Sequence, residues 1–265
     1  VVRCIACNLG GYGRVPYLRS VLTKNVLRLV LLFSISAALL VGCALGPRAE
    51  SAPGLSAGES AVYVSYMQHV YKVDTKIGSE LWRYPVTGSV QVVLYAPPLL
   101  NENSIFVGDL ANKFHQLDAA GGSELWSFTQ AKGWFQAKAA TNGNVIIAPS
   151  SDRNVYALNM DGTLKWKFSG EFGFVAEPLI IGDSVIIAGL DHKLIALNIE
   201  NGDLLWETEL KGSLIAPPAY DAASGSLFVG SLGKELLSID SKTGKRNWSF
   251  GDNGEITAVY ATPIL

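Results

Sequence analysis

Short apolar runs recur along the chain at near-constant intervals. Each is followed by a segment ending in Asp or Asn and then by one carrying Trp. The runs Ile105-Phe-Val107, Val145-Ile-Ile147, Val185-Ile-Ile187 and Leu227-Phe-Val229 are uninterrupted, as expected of strands buried on both faces. Ahead of them lie Tyr95-Ala-Pro-Pro-Leu99, Val175-Ala-Glu-Pro-Leu179 and Ile215-Ala-Pro-Pro-Ala219. Proline cannot donate to a ladder, so these segments predict a short, interrupted strand, suited to the innermost position around a channel. A third strand ends at Asp74, Asp118, Asn159, Asn198 or Asp240, and a fourth carries Trp82, Trp126, Trp166, Trp206 or Trp248. Four strands per repeat is the prediction.

The third and fourth strands are joined tightly. Gly78, Gly122, Gly162, Gly202 and Gly244 each stand four residues before their Trp. At that place a glycine supplies the positive φ that a tight turn needs, and the Asp or Asn accepts backbone N–H bonds. The five Asp/Asn positions therefore read as turn caps, not as a carboxylate array. The tryptophans are 44, 40, 40 and 42 residues apart. A period near 40 with short strands predicts one propeller blade per repeat. One Trp at the same place in every repeat reads as a packing element that docks its flat face between adjacent blades. Trp134 stands off this period and is assigned to the channel or to a loop.

The N-terminal 42 residues have a different pattern. They contain Arg3, Arg14, Arg19, Lys24 and Arg28 and no acidic residue, then an uncharged run of 14 residues from Leu29 to Gly42. A membrane-spanning helix needs about 20 residues, so this run is read as the apolar region of a signal peptide. It ends Leu40-Val41-Gly42-Cys43, which resembles a bacterial lipobox. Cys43 is the expected site of lipidation. Val21 is an alternative translation start, and Cys4-Ile-Ala-Cys7 is then never made, or is otherwise discarded with the leader. The expected organisation is a lipoprotein signal peptide over 1–42, an Ala/Gly/Pro/Ser-rich tether over 43–52, and a repeat domain over 53–265.

Charge and cysteine content narrow the function. The chain of 265 residues has 21 basic and 23 acidic residues and 3 Cys. Without residues 1–42 it keeps 16 basic residues against the same 23, and Cys43 as its sole cysteine. An acidic domain argues against nucleic-acid partners, and one cysteine leaves no internal disulfide.

The repeat resembles the pyrroloquinoline-quinone-type β-propeller repeat, over about residues 53–265. With the lipobox, the chain is similar to the BamB-type outer-membrane assembly lipoproteins. The resemblance implies an all-β propeller of four-stranded, Trp-docked blades, and a non-enzymatic scaffold that meets protein partners through its loops. Five full repeats are followed by Val259-Tyr-Ala-Thr-Pro-Ile-Leu265, read as the first strand of a sixth. The expectation is a seven- or eight-bladed ring of which this is a part.

Three other readings differ in what they require of the residues. A quinone-dependent dehydrogenase is implied by the repeat's name but would bring a vicinal Cys pair, a Ca²⁺ site and a catalytic Asp, and the sequence has no Cys-Cys pair. A ligand-binding or sensor propeller is the alternative to the scaffold. A metal ring is disfavoured because His69, His115 and His192 differ in register from the Asp/Asn turns. Asp109, Asp152 and Asp191 follow the second strands and are read as solvated turns on one rim. No cofactor, metal or catalytic residue is expected; the expected partners are the membrane, through Cys43, and proteins.

Overall fold

The computed structural model describes residues 54–89, 92–251 and 254–264. The expected signal peptide with Cys4 and Cys7, the expected lipidation site Cys43, the expected tether, Pro53 and Leu265 lie outside the described residues.

Five four-stranded antiparallel sheets follow one another along the chain, each in the order of its strands. Blade 1 comprises β1 (Gly54–Ala57), β2 (Ala61–Tyr66), β3 (His69–Asp74) and β4 (Glu80–Tyr84). Blade 2 comprises β5 (Leu99–Asn101), β6 (Ser104–Gly108), β7 (Phe114–Asp118) and β8 (Glu124–Phe128). Blade 3 has β9 (Ala140–Thr141), β10 (Val145–Pro149), β11 (Asn154–Asn159) and β12 (Leu164–Ser169). Blade 4 has β13 (Leu179–Ile181), β14 (Ser184–Ala188), β15 (Lys193–Asn198) and β16 (Leu204–Glu209). Blade 5 has β17 (Ala219–Asp221), β18 (Ser226–Ser231), β19 (Glu235–Asp240) and β20 (Arg246–Phe250).

The proline-containing segments precede the first strands instead of forming them. In blades 2, 4 and 5 the strand begins at Leu99, Leu179 and Ala219, directly after the last proline. Proline lacks the N–H that a ladder uses, so pairing starts where it ends. Residues 259–264 likewise form no strand, and Val259 N–H donates to the Ser231 carbonyl at 3.1 Å.

The core lies between blades. Four apolar clusters join blades 1 and 2, 2 and 3, 3 and 4, and 4 and 5. Ile105 to Val107, Val145 to Ala148 and Val185 to Ala188 are buried throughout, because β6, β10 and β14 have a blade on each side. In β2 only Ala61, Tyr63 and Ser65 are buried, and in β18 Phe228 is half-buried between buried Leu227 and Val229. Among the described residues, blades 1 and 5 each bury one face against a single neighbour. Among the described residues no core cluster joins blade 5 to blade 1.

Candidate functional site

Every third-to-fourth-strand turn holds its glycine at positive φ: 67° at Gly78, 75° at Gly122, 83° at Gly162, 77° at Gly202 and 69° at Gly244. The polar residue at the turn's start binds the turn backbone. Asp74 Oδ1 accepts from the N–H of Lys76 and Ile77, and Asp118 Oδ2 from Gly121. Asn198 Oδ1 accepts from Glu200 and Asn201, and Asp240 Oδ1 from Lys242 and Thr243. In the shorter turn of blade 3, Asn159 Nδ2 donates to Thr163 Oγ1 and Asp161 takes the Thr163 N–H.

These turns receive the tryptophan of the preceding blade. Trp82 Nε1 donates to the Ala119 carbonyl at 3.2 Å, Trp126 to Met160 at 3.0 Å, Trp166 to Ile199 at 2.8 Å and Trp206 to Ser241 at 3.1 Å. The acceptor is always the residue after the Asp or Asn. The indole lies on the glycine: a Cβ on Gly122, Gly162, Gly202 or Gly244 would come within 2.6–2.8 Å of the docked ring. The same residue types thus do two jobs, since the achiral turn position is also the floor of the Trp socket. Trp248 is 44% exposed and rests on Phe228 of its own blade, while a Cβ on Gly78 would meet nothing within 4 Å.

The opposite loops make the candidate functional rim. Here the second-to-third-strand turns meet the segments leading to the next first strand. Phe135 N–H donates to Asp109 O, Phe174 to Ser150 O and Leu214 to Gly189 O, each in the turn of the preceding blade, and Ser151, Leu190 and Leu232, in the turns of the following blade, donate to the carbonyls of Trp134, Gly173 and Ser213. Backbone pairing therefore fixes these loops to neighbouring turns. Each turn carries a non-glycine residue at positive φ: Met67, Asn112, Arg153, His192 or Lys234. Trp134, which the sequence left between channel and loop, is on this rim and 51% exposed.

Asp109 corrects the reading of a solvated turn. It is fully buried, and its Oδ1 accepts from the N–H of Ala111 and Lys113. Its Oδ2 faces His115 Nε2 at 3.1 Å, and His115 Nδ1 faces Glu124 Oε2 at 2.8 Å. Tyr84 of blade 1 donates its hydroxyl to the same Glu124 oxygen. A polar chain therefore crosses the junction between blades 1 and 2. The loop that places Asp109 under the Phe135 segment excludes water, and the buried carboxylate is satisfied by backbone and imidazole instead. Asp152 is similar: Tyr156 donates to its Oδ2 at 2.7 Å, in the strand register that His115 fills in blade 2. Asp191 is half-buried and accepts from the Lys193 N–H. His69 Nδ1 lies 2.7 Å from Pro85 O, and His192 is exposed.

Burial pushes the Glu124 carboxyl up, but hydrogen bonds from Tyr84 and His115 outweigh it and hold it below its ordinary value of 4.5. For Asp152, burial again opposes, and bonds from the Lys132 N–H, Tyr156 and Asn154 win. Burial, then the neighbouring carboxylates, push the Tyr84 and Tyr156 phenols well above their ordinary range. A lowered carboxyl contributes stability above its unfolded value and loses it as pH falls through the folded one. The urea midpoint of the protein is therefore expected to exceed that of Glu124→Gln at pH 7, with the gap shrinking once pH drops below about 4.5. A gap constant from pH 7 to pH 3.5 would contradict this.

Three or more His, Cys, Asp or Glu side chains do not converge in any metal-holding group among the described residues. The geometry is that of a tryptophan-docked β-propeller whose polar turns serve its own backbone.

Comparison with known proteins agrees. A family model described as outer membrane protein assembly factor BamB matches residues 66–180 and 168–264. The chain belongs to this BamB family of propeller proteins. It is 26% identical over 164 residues to BamB of Bordetella pertussis, covering 61% of this chain and 42% of that protein. To BamB of Escherichia coli it is 35% identical over 86 residues, 28% of this chain and 22% of that protein. The aligned region thus spans less than half of these relatives. The crystal structure of BamB from Moraxella catarrhalis superposes with a TM-score of 0.67 at 16% identity, covering 78% of this chain and 65% of that one.

Proposed function

We propose that the chain is a lipid-anchored, non-catalytic propeller scaffold that binds protein partners through its loops, outside the cytoplasmic membrane, in outer-membrane protein assembly. The observation that carries this reading is the BamB family match over both halves of the repeat domain. It is supported by the use of the turn carboxylates Asp74, Asp118 and Asp240 in capping backbone, which commits them to the fold. The sequence Leu40-Val41-Gly42-Cys43 supports acylation at Cys43. Two or three acyl chains hold a protein on a bilayer, whereas one is marginal.

Two measurements test it. In cells lacking their own BamB-family protein, expression of this chain is expected to restore outer-membrane protein levels; no restoration counts against the assembly role. Cys43→Ser is expected to move the protein from the membrane to the soluble fraction. If the variant still sediments with membranes after a carbonate wash, the anchor is elsewhere.

A further inference from the structure

An asparagine followed by glycine can modify itself, because no side chain on the glycine hinders attack by its backbone nitrogen on the asparagine Cγ. Such pairs stand at Asn142-Gly143, Asn201-Gly202 and Asn253-Gly254. Asn253 lies outside the described residues. The other two occupy different turns of adjoining blades, and the fold treats them differently. Asn142 and Gly143 are both exposed, in the hairpin between β9 and β10 of blade 3. Asn201 and Gly202 lie in the turn of blade 4 that receives Trp166.

Asn142 Oδ1 accepts from the N–H of Asn144 and of Val145, both at 3.0 Å. A side chain bonded two and three residues ahead folds over the intervening Gly143 peptide, whose nitrogen is the nucleophile. The two N–H groups sit on the oxygen where negative charge develops as Cγ becomes tetrahedral, which is the arrangement of an oxyanion hole. Among the described residues nothing bonds the departing Nδ2. Gly143 has nothing within 4 Å of its Cβ position, and its N–H meets only the Thr141 hydroxyl, at 3.0 Å. At Asn201 the reacting atoms are tied. Nδ2 donates to Asp203 Oδ2 at 2.7 Å, and Oδ1 takes a single N–H, from Asp203 at 3.0 Å. The Gly202 N–H donates to the Asn198 carbonyl at 2.9 Å, and the glycine is the floor of the Trp166 socket. Bringing Gly202 N onto Asn201 Cγ would break that turn and lift the indole.

We propose that Asn142 is a site of spontaneous, enzyme-free modification, and that Trp166 docking protects Asn201 from the same reaction. The Gly143 nitrogen loses its proton to water and attacks Asn142 Cγ. The new N–Cγ bond closes a five-membered imide as the Cγ–Nδ2 bond breaks, and the departing nitrogen takes up a proton and leaves as ammonia. One water then opens the imide at either carbonyl, giving aspartate or isoaspartate, in which the backbone runs through Cγ. The only co-reactant is water, and nothing is oxidised or reduced. The hairpin tip gains one negative charge at an exposed place where nothing packs on Gly143, so blade 3 keeps its fold. The reaction belongs to the hairpin's own chemistry and does not depend on a role in outer-membrane assembly.

The purified full chain is held at mildly alkaline pH in heavy-oxygen water, then digested and mapped by mass spectrometry, so that each opened imide carries one labelled oxygen. Asn142 is expected to convert at least tenfold faster than Asn201, with isoaspartate among its products, as counted by an isoaspartyl methyltransferase. In concentrated urea, where no turn holds either side chain, the two are expected to convert at rates within a factor of two. Asn142 is expected to convert in the folded chain at least as fast as in urea. Trp166→Phe, which leaves the socket partly empty, is expected to speed Asn201 at least threefold and leave Asn142 unchanged. Equal conversion of the two in the folded chain overturns the proposal, as does the same ratio between them in urea as in buffer. Slower conversion of Asn142 folded than unfolded overturns the activating hairpin, and an unmoved Asn201 in Trp166→Phe overturns the protecting socket. The measurement uses no cells, so its failure is distinct from failure to restore outer-membrane protein levels.

Discussion

Trp206→Ala is expected to be among the most damaging single truncations in the molecule. The ring is buried to 9% exposure, its Nε1 donates to the Ser241 carbonyl, and it belongs to the cluster joining blades 4 and 5. Truncating a buried Trp typically costs about 3–5 kcal/mol, and the Ser241 carbonyl loses its indole donor as well. Trp166, at 8% exposure, is expected to behave alike. Trp248 has the same place in its repeat but is 44% exposed, and among the described residues no turn receives it. Its removal is expected to cost under about 1 kcal/mol, in the range of surface substitutions. Stability in stacked repeats is a sum over nearest-neighbour interfaces, and one of these tryptophans makes an interface while the other does not. Urea unfolding of the three variants checks this. Equal midpoint shifts for Trp206→Ala and Trp248→Ala would show that the indole acts within its own blade.

The second large effect belongs to the receiving side. Gly202→Ala is expected to cost roughly 1–2 kcal/mol for an L-residue in the left-handed region and about 1–3 kcal/mol more for overpacking, because the new Cβ falls 2.8 Å from the Trp166 ring. Gly78 has nearly the same backbone, φ 67° against 77°, yet nothing within 4 Å of its Cβ position. Gly78→Ala is therefore expected to show the strain alone. The difference between the two variants measures the socket rather than the turn. In addition, Trp166 fluorescence should shift to the red in Gly202→Ala as the indole is lifted into water. If both glycine variants unfold at the same urea concentration, the close approach is relieved without cost and the socket is soft.

Much of this fold is legible in the sequence, for identifiable reasons. Strand alternation, Pro exclusion and Asp…Gly turn chemistry act over a few residues, so they leave marks a few residues long. Gly78, Gly122, Gly162, Gly202 and Gly244 carry the turn signal, and their spacing to each Trp carries the blade. The same local logic explains why the first strands are expected too early, since Ala96, Ala176 and Ala216, ahead of Leu99, Leu179 and Ala219, are buried without lying in a strand.

Other features had no local mark. Beside each tryptophan the pairing of the third and fourth strands slips by one residue, as between Ala196 and Leu197 opposite Trp206. That bulge arises where the outer strand turns its indole toward the next blade. The positive φ at Met67, Asn112, Arg153, His192 and Lys234 follows no common residue type, because the neighbouring loop's backbone bonds hold the turn. The burial of Asp109 beside His115 and Glu124 depends on the loop that closes over it at Phe135.

By itself, then, the amino-acid sequence determined the strand count, the blade period, the turn residues and the tryptophan that each blade contributes, because these rest on contacts within one repeat. Only the tertiary structure decided which turn each indole enters, that Trp248 and Gly78 are left uncovered by any described residue of another blade, and that Trp134 and Gly173 both meet Ser151. Those outcomes depend on contacts between residues 17 to 37 positions apart, brought together by stacking one blade on the next, where short-range propensity carries no information.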